Sequence, residues 1–422
     1  MAPQQEIVIT GVGVVSPIGT GKQAFAAGLA EGRSAIRWLR WFEDSELAVP
    51  VGAEVADFDP KAYVRPRKSL KVMSRDIQFA FAAADLACAD ARVDDQQTDP
   101  ERLGIVFGSD MIPCDLHEME AAYRGCMVDG TFDFNRWGET AMAEMFPLWI
   151  LKYLPNMPAC HIGIAQDARG PNNSLTHGDV SSLSAVAEAM RVIERGHADV
   201  MIAGGAGSRV HPGVLCRAGA FDLARRNEDP VTACRPFDAR RHGMVLGEGA
   251  GAFILESRRH AEARGAKILA RILGYAATFE PARNGQPLQG TGIRKAITLA
   301  LKNARLTPGD VGHVNANGLS TILDDQIEAQ AIRATLGDVP VTAPKSFFGH
   351  LGAGTGAVEM AVSVLAFEHG FVPPTLNYEY PDPLCPIHVI RCQPMHLGKP
   401  AAVVLNHAQF GQAIAVILGA AQ

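Results

Sequence analysis

The chain has 422 residues, 47% of them hydrophobic and 20% charged, which is enough apolar content for one large core or two fused ones. Its net charge of -6, with acidic and basic residues interspersed, speaks against a nucleic-acid groove or an anionic membrane surface as partner. Eight cysteines (Cys88, Cys114, Cys126, Cys160, Cys216, Cys234, Cys385 and Cys392) form no C-x-x-C pair and no zinc spacing, a usage suited to reduced thiols in a cytoplasm without structural metal.

Met1–Glu6 carries no basic n-region, and no apolar run approaches the roughly 20 residues of a membrane span. Residues 7–15 are β-branched and apolar, and Ser16-Pro17-Ile18-Gly19 closes that strand with turn chemistry. Gly11-x-Gly13 invites a dinucleotide reading. Ser16 at the third glycine position and the proline after it spoil the phosphate-cradling helix start, so that reading is rejected. Helical patterning covers 22–31 and, more strongly, Ser74 to Ala89. Ahead of the second helix lie Lys61, Arg65, Arg67, Lys68, Lys71 and Arg75, which charge alone reads equally well as a solvated face or a docking site. Leu103–Ser109 reads as a buried parallel strand, and 112–153, with Trp137 and Trp149, as an insertion.

From Gly170 the chain runs through a turn and a short extended segment into a helix with apolar positions Val180, Leu183, Val186, Ala187, Met190 and Ile193. Asp179 stands at the start of that helix, where outward-pointing N–H groups and the macrodipole favour negative charge. Such a place suits a nucleophile with its oxyanion hole. It suits equally a capping aspartate bound to the N–H of Ser181 or Ser182. Val200–Gly205 and Gly247–Glu256 read as buried strands; no Lys-Ser or Lys-Thr follows the glycines, so a phosphate loop is disfavoured. A strand at Ile268–Gly274, a helix from Gly292 to Ala304, a strand at Val311–Asn317 and a closing hairpin from Ala401 to Gly419 repeat the scheme. Two such halves imply a duplicated, layered α/β architecture.

The Gly170–Ala185 stretch, with Leu154-Pro-Asn-Met157 before it and Ala198–Gly205 after it, resembles the β-ketoacyl-acyl-carrier-protein synthases, and the resemblance extends over nearly the whole chain. It implies a thiolase-like fold, a duplicated five-layer α-β-α-β-α arrangement. The halves would be 1–258 and 259–422, with 112–153 lining a dimer interface and acyl pocket. It implies a cofactor-free dimer, homo- or heteromeric, that meets acyl carrier protein or acyl thioesters, with the basic cluster as docking site. In that family a cysteine stands at the position of Asp179, and His-Gly-Thr-Ser-Thr stands where this chain reads Asn317-Gly-Leu-Ser-Thr321. Lys345-Ser-Phe-Phe-Gly-His350 and the following Glu359 are kept, which implies a pocket-facing His350 and an ordering ion pair between Lys345 and Glu359. The family's glycine-rich oxyanion and gating run appears as Asn406-His-Ala-Gln-Phe410-Gly411-Gln412, with several positions changed.

Two readings follow. One is a non-condensing ketosynthase relative, either an acyl-binding subunit or a partner similar to the chain-length-factor subunits, which this chain resembles at Gly274–Pro281. The other is an enzyme of altered chemistry in which Asp179 and His350 activate water, with Asn317 as oxyanion donor, to hydrolyse an acyl thioester or decarboxylate a bound acid. Cys160, in a segment that reads as a supporting strand or turn, is disfavoured as an alternative nucleophile.

Overall fold

The computed structural model describes residues 5–39, 51–93, 98–215, 222–224, 229–281 and 287–421; Cys216 lies outside them. Ten strands carry the architecture: β1 (Ile7–Ser16), β2 (Leu103–Gly108), β3 (Asn172–Leu175), β4 (Val200–Ser208), β5 (Leu246–Ser257), β6 (Ala270–Phe279), β7 (Val311–Asn315), β8 (Pro340–Thr342), β9 (Ala401–His407) and β10 (Gln412–Ala420). The helices of eight or more residues are α1 (Lys22–Ala30), α2 (Arg75–Ala91), α3 (Leu116–Gly125), α4 (Trp137–Glu144), α5 (Met157–Ala165), α6 (Ser181–Glu194), α7 (Thr291–Ala304), α8 (Ile322–Leu336) and α9 (Thr355–His369).

The strand order makes the duplication explicit. The first half runs β1-β5-β4-β2-β3 and the second β6-β10-β9-β7-β8. In each, the first two pairings are antiparallel and the last two parallel. The two are joined where β1 pairs with β6 over Ile7–Ile9. β1 and β6 carry a bulge at the same place, between Ile9 and Gly11 and between Ile272 and Gly274. Helices α6 and α9 pack against each other between the sheets, while α2 covers β1 and β5 outside and α7 covers β6 and β10. This matches the thiolase-like layering expected from the sequence.

Residues buried on both faces explain why β4 and β5 read as unbroken apolar and glycine runs. The Gly11-x-Gly13 pair has a packing origin rather than a phosphate one. A Cβ on Gly13 would lie 1.9 Å from Ala83 O, and one on Gly11 2.3 Å from Ala87 O, so α2 can settle on β1 only because both lack a side chain. Gly13→Ala is therefore expected to destabilise the protein by about 1–3 kcal/mol through overpacking, read as a lowered urea midpoint. An unchanged midpoint would show that α2 has slack to yield.

The insertion is a small unit of α3, a two-residue hairpin pairing Met127–Val128 with Thr131–Phe132, and α4. Trp137 packs against Tyr123 and Phe132 within it. Several of its apolar side chains, among them Phe134, Met142 and Leu148, are exposed. Among the described residues no helix is long and apolar enough to cross a membrane.

Candidate functional site

Asp179 sits in a single 3₁₀ turn, Gly178–Val180, that leads into α6. Ser181 shapes the turn, donating from its hydroxyl to Gly178 O (2.6 Å) and accepting the His177 N–H (2.9 Å). The expected capping is absent, for no side chain caps the start of α6. The Asp179 carboxylate turns instead to the other half of the chain. Its Oδ1 accepts from His350 Nε2 at 3.1 Å and from Arg209 Nη2 at 3.2 Å. The same Nη2 donates to Asp110 Oδ2 at 2.9 Å, so one guanidinium ties the ends of β2 and β4 to the start of α6. β5 fixes both donors from behind: Gly247 O accepts the Arg209 N–H and Gly247 N–H donates to His350 O, each at 2.9 Å.

Burial works to raise the Asp179 carboxyl, but His350, then Arg209 and Lys345, outweigh it and hold the group well below the usual carboxylate range. Burial lowers His350 below an ordinary imidazole; the Asp179 charge opposes this and Arg209 and Lys345 add to it. Near neutral pH the pair is thus a carboxylate facing a neutral ring. Thr355 Oγ1 accepts the Leu351 N–H (2.9 Å) and lies 3.3 Å from His350 Nδ1. The ionised Asp179 oxygen can only accept, which assigns the His350 proton to Nε2 and leaves Nδ1 to accept from Thr355 Oγ1. In that tautomer the ring offers Asp179 a donor and water no basic nitrogen.

A depressed histidine stabilises the fold most at pH above about 6.5, and that contribution is lost as pH falls through the folded pKa. Asp179→Asn removes the opposing anion, so His350 should titrate still lower, as NMR of the ring nitrogens would register. A rise instead would mean that Asp179 does not govern His350.

Below this pair lies a fully buried polar network. Lys345 Nζ contacts Glu359 Oε1 at 2.7 Å, Asn317 Oδ1 at 2.8 Å and Asn317 O. Asn406 Nδ2 donates to Asn317 Oδ1 (2.8 Å) and Glu359 Oε2 (3.3 Å). Asn317 Nδ2 donates to His407 O at 3.3 Å, and Glu328 accepts the N–H groups of Asn317 and Gly318. The side-chain amide of Asn317 is therefore engaged within the protein. Burial drives the Glu359 carboxyl upward and Lys345 opposes it.

Residues 4–261 match the model of the beta-ketoacyl synthase N-terminal domain and residues 269–379 that of its C-terminal domain. The chain belongs to the β-ketoacyl synthase family. This ketosynthase relative is 37% identical over 396 residues to the actinorhodin polyketide putative beta-ketoacyl synthase 1 of Streptomyces coelicolor, covering 92% of this chain and 82% of that one. It is 34% identical over 398 residues to the 3-oxoacyl-[acyl-carrier-protein] synthase 2 of Synechocystis sp., covering 92% of each. Its fold superposes on the ishigamide ketosynthase/chain length factor with a TM-score of 0.86 at 28% identity, over the full length of both chains.

Within this β-ketoacyl synthase fold, the sequence-derived residues Asp179, His350, Asn317, Lys345, Glu359 and Asn406 converge, whereas Phe410 does not. Phe410 is 80% exposed in the β9–β10 turn, and Gly411 beside it donates its N–H to Ala408 O. Cys160 lies on helix α5 rather than a strand or turn, with Asn156 donating to its sulfur. Of the basic cluster, Lys61, Arg65, Arg67, Lys68 and Lys71 are exposed. Arg75 is exposed as well but paired: its guanidinium holds Glu248 at 2.8 and 2.6 Å and Val55 O at 2.7 Å, and lies over the Phe79 ring. Sequence reasoning missed Arg209, Asp110 and Thr355. None stands in a motif, and only the folded chain brings the first two to Asp179.

Proposed function

We propose that this ketosynthase-family chain is a non-condensing subunit of fatty-acid or polyketide assembly, comparable to a chain-length factor and paired with a catalytically complete ketosynthase. The observation that carries the reading is the convergence of His350 and Arg209 on one oxygen of Asp179, at the position where the family resemblance puts the cysteine. A carboxylate whose charge is drawn off by two such donors is a weak nucleophile, and its attack on a thioester would give a reactive anhydride. Asn317 does not exchange a proton near neutral pH, and one of its two side-chain hydrogens is already given to His407 O. Intact-mass measurement after exposure to acyl-carrier thioesters tests this: no acyl adduct is expected on the wild type, and a persistent adduct would defeat it.

The partner face in this reading is the exposed end of β3 together with the outward apolar residues of 111–164. An unpaired sheet edge beside large exposed apolar side chains favours burial against a second chain. Sedimentation should therefore give a dimer, or a stable heterodimer with a co-expressed ketosynthase. Acyl carrier protein would dock on Lys61, Arg65, Arg67, Lys68 and Lys71. Arg67→Glu with Lys68→Glu should weaken carrier binding at low salt and matter less as salt rises.

The altered-chemistry reading draws support from the 3.1 Å contact between Asp179 and His350. It requires the opposite tautomer of His350. Turnover of acyl thioesters by the purified chain alone, abolished in Asp179→Ala, would establish it.

A further inference from the structure

Arg209 does more than neutralise Asp179. Its Nη2 donates to both Asp110 and Asp179, and its side chain is only 18% exposed. The loop after His350 is shaped around it, since a Cβ on Gly352, which has φ of +61°, would lie 2.3 Å from Arg209 Nε. Residues flanking these two, Ser208 and Val210 beside Arg209 and Pro113 just beyond Asp110, line a cavity of about 610 Å³. Arg209 and Asp110 thus adjoin, along the chain, residues that line this cavity, while their own side chains are turned to each other and to Asp179. A group attached at position 179 would meet His350 Nε2 and the Arg209 guanidinium, the two side-chain donors that now reach the Asp179 carboxylate.

We infer that Arg209 is a specificity-determining plug: clamped by Asp110 and Asp179, it fills the ground beside position 179 that an acyl chain of more than a few carbons would occupy. The inference rests on reading Asp179 as the nucleophile-position residue, and it extends that reading. The subunit would exclude long acyl chains from this position by shape as well as by lacking a thiol. Breaking a doubly bonded guanidinium away from two carboxylates is costly, so the plug should stay seated during encounter with a chain.

Thiol access measures this without relying on acyl transfer. Asp179→Cys, alone and with Arg209→Ala, is labelled with N-methylmaleimide and with N-octylmaleimide, and the modification at 179 is quantified by peptide mass against the exposed Cys392 of the same molecule. Arg209→Ala is expected to raise the octyl reactivity at 179 roughly tenfold, a barrier change of about 1.4 kcal/mol, while the methyl reagent gains less. An octyl reactivity at 179 that is the same with and without Arg209 overturns the inference. Asp110→Ala in the Asp179→Cys background, which unclamps the guanidinium without deleting it, should act in the same direction and serves if Arg209→Ala fails to fold. Acylation of the wild-type protein would instead defeat the non-condensing reading, and the maleimide comparison would still judge the plug.

Discussion

Asp179→Cys should let the protein carry an acyl group covalently. The substitution returns a thiol to the start of α6, where the helix N-terminus and the Arg209 guanidinium both favour a thiolate. His350 Nε2, now donating to Asp179, would face the sulfur. Exposure to a short acyl-carrier thioester should add the mass of one acyl group to the variant and nothing to the wild type. The acquired step is transfer alone. Asn317 still supplies no acid or base, so malonyl decarboxylation and chain extension should remain absent. An unmodified variant would mean that the site has lost its oxyanion donors as well as its thiol. An extended chain would mean that Asn317 replaces a histidine without loss.

The second large effect is on the fold. Lys345 and Glu359 have no appreciable exposure and meet at 2.7 Å, and through them Asn317 and Asn406 are held. Removing one charge strands the other in the interior, which typically costs 3–5 kcal/mol, or about that order here. Lys345→Met is therefore expected to lower the unfolding free energy by roughly that amount, read from denaturant midpoints. The double variant Lys345→Met/Glu359→Gln should recover much of it, because no uncompensated ion then remains. A loss as large in the double as in the single would place the cost in packing rather than in charge.

Much of the scaffold was legible in the sequence because it rests on local patterns. Uninterrupted apolar runs announced β4 and β5, and three- and four-residue spacing announced α2, α6 and α7. The positions of Lys345, Glu359, Asn406 and Asn317 followed from contiguous motifs. What escaped were contacts made by distant segments. Neighbours alone left Asp179 equally a nucleophile-position residue or a cap for the first turn of α6; Arg209, 30 residues on, competes for the carboxylate and wins. Arg75 counted as one more surface cation because its true partner, Glu248, lies 173 residues away. Phe410 was placed at the gate by its motif, whereas its exposure here depends on a turn whose neighbouring positions have changed.

The twofold repetition of the sheet has a consequence for how such a chain can change. Asp179 and Arg209 belong to the first copy, while His350, Lys345 and Asn317 belong to the second, so the chemistry exists only at the seam and neither copy owns it. The apolar core around α2 lies wholly in the first copy and that around α7 almost wholly in the second, away from the side chains that meet at that seam. A lineage can therefore trade a reaction for a recruiting role by altering a few residues there, and inherit the architecture intact.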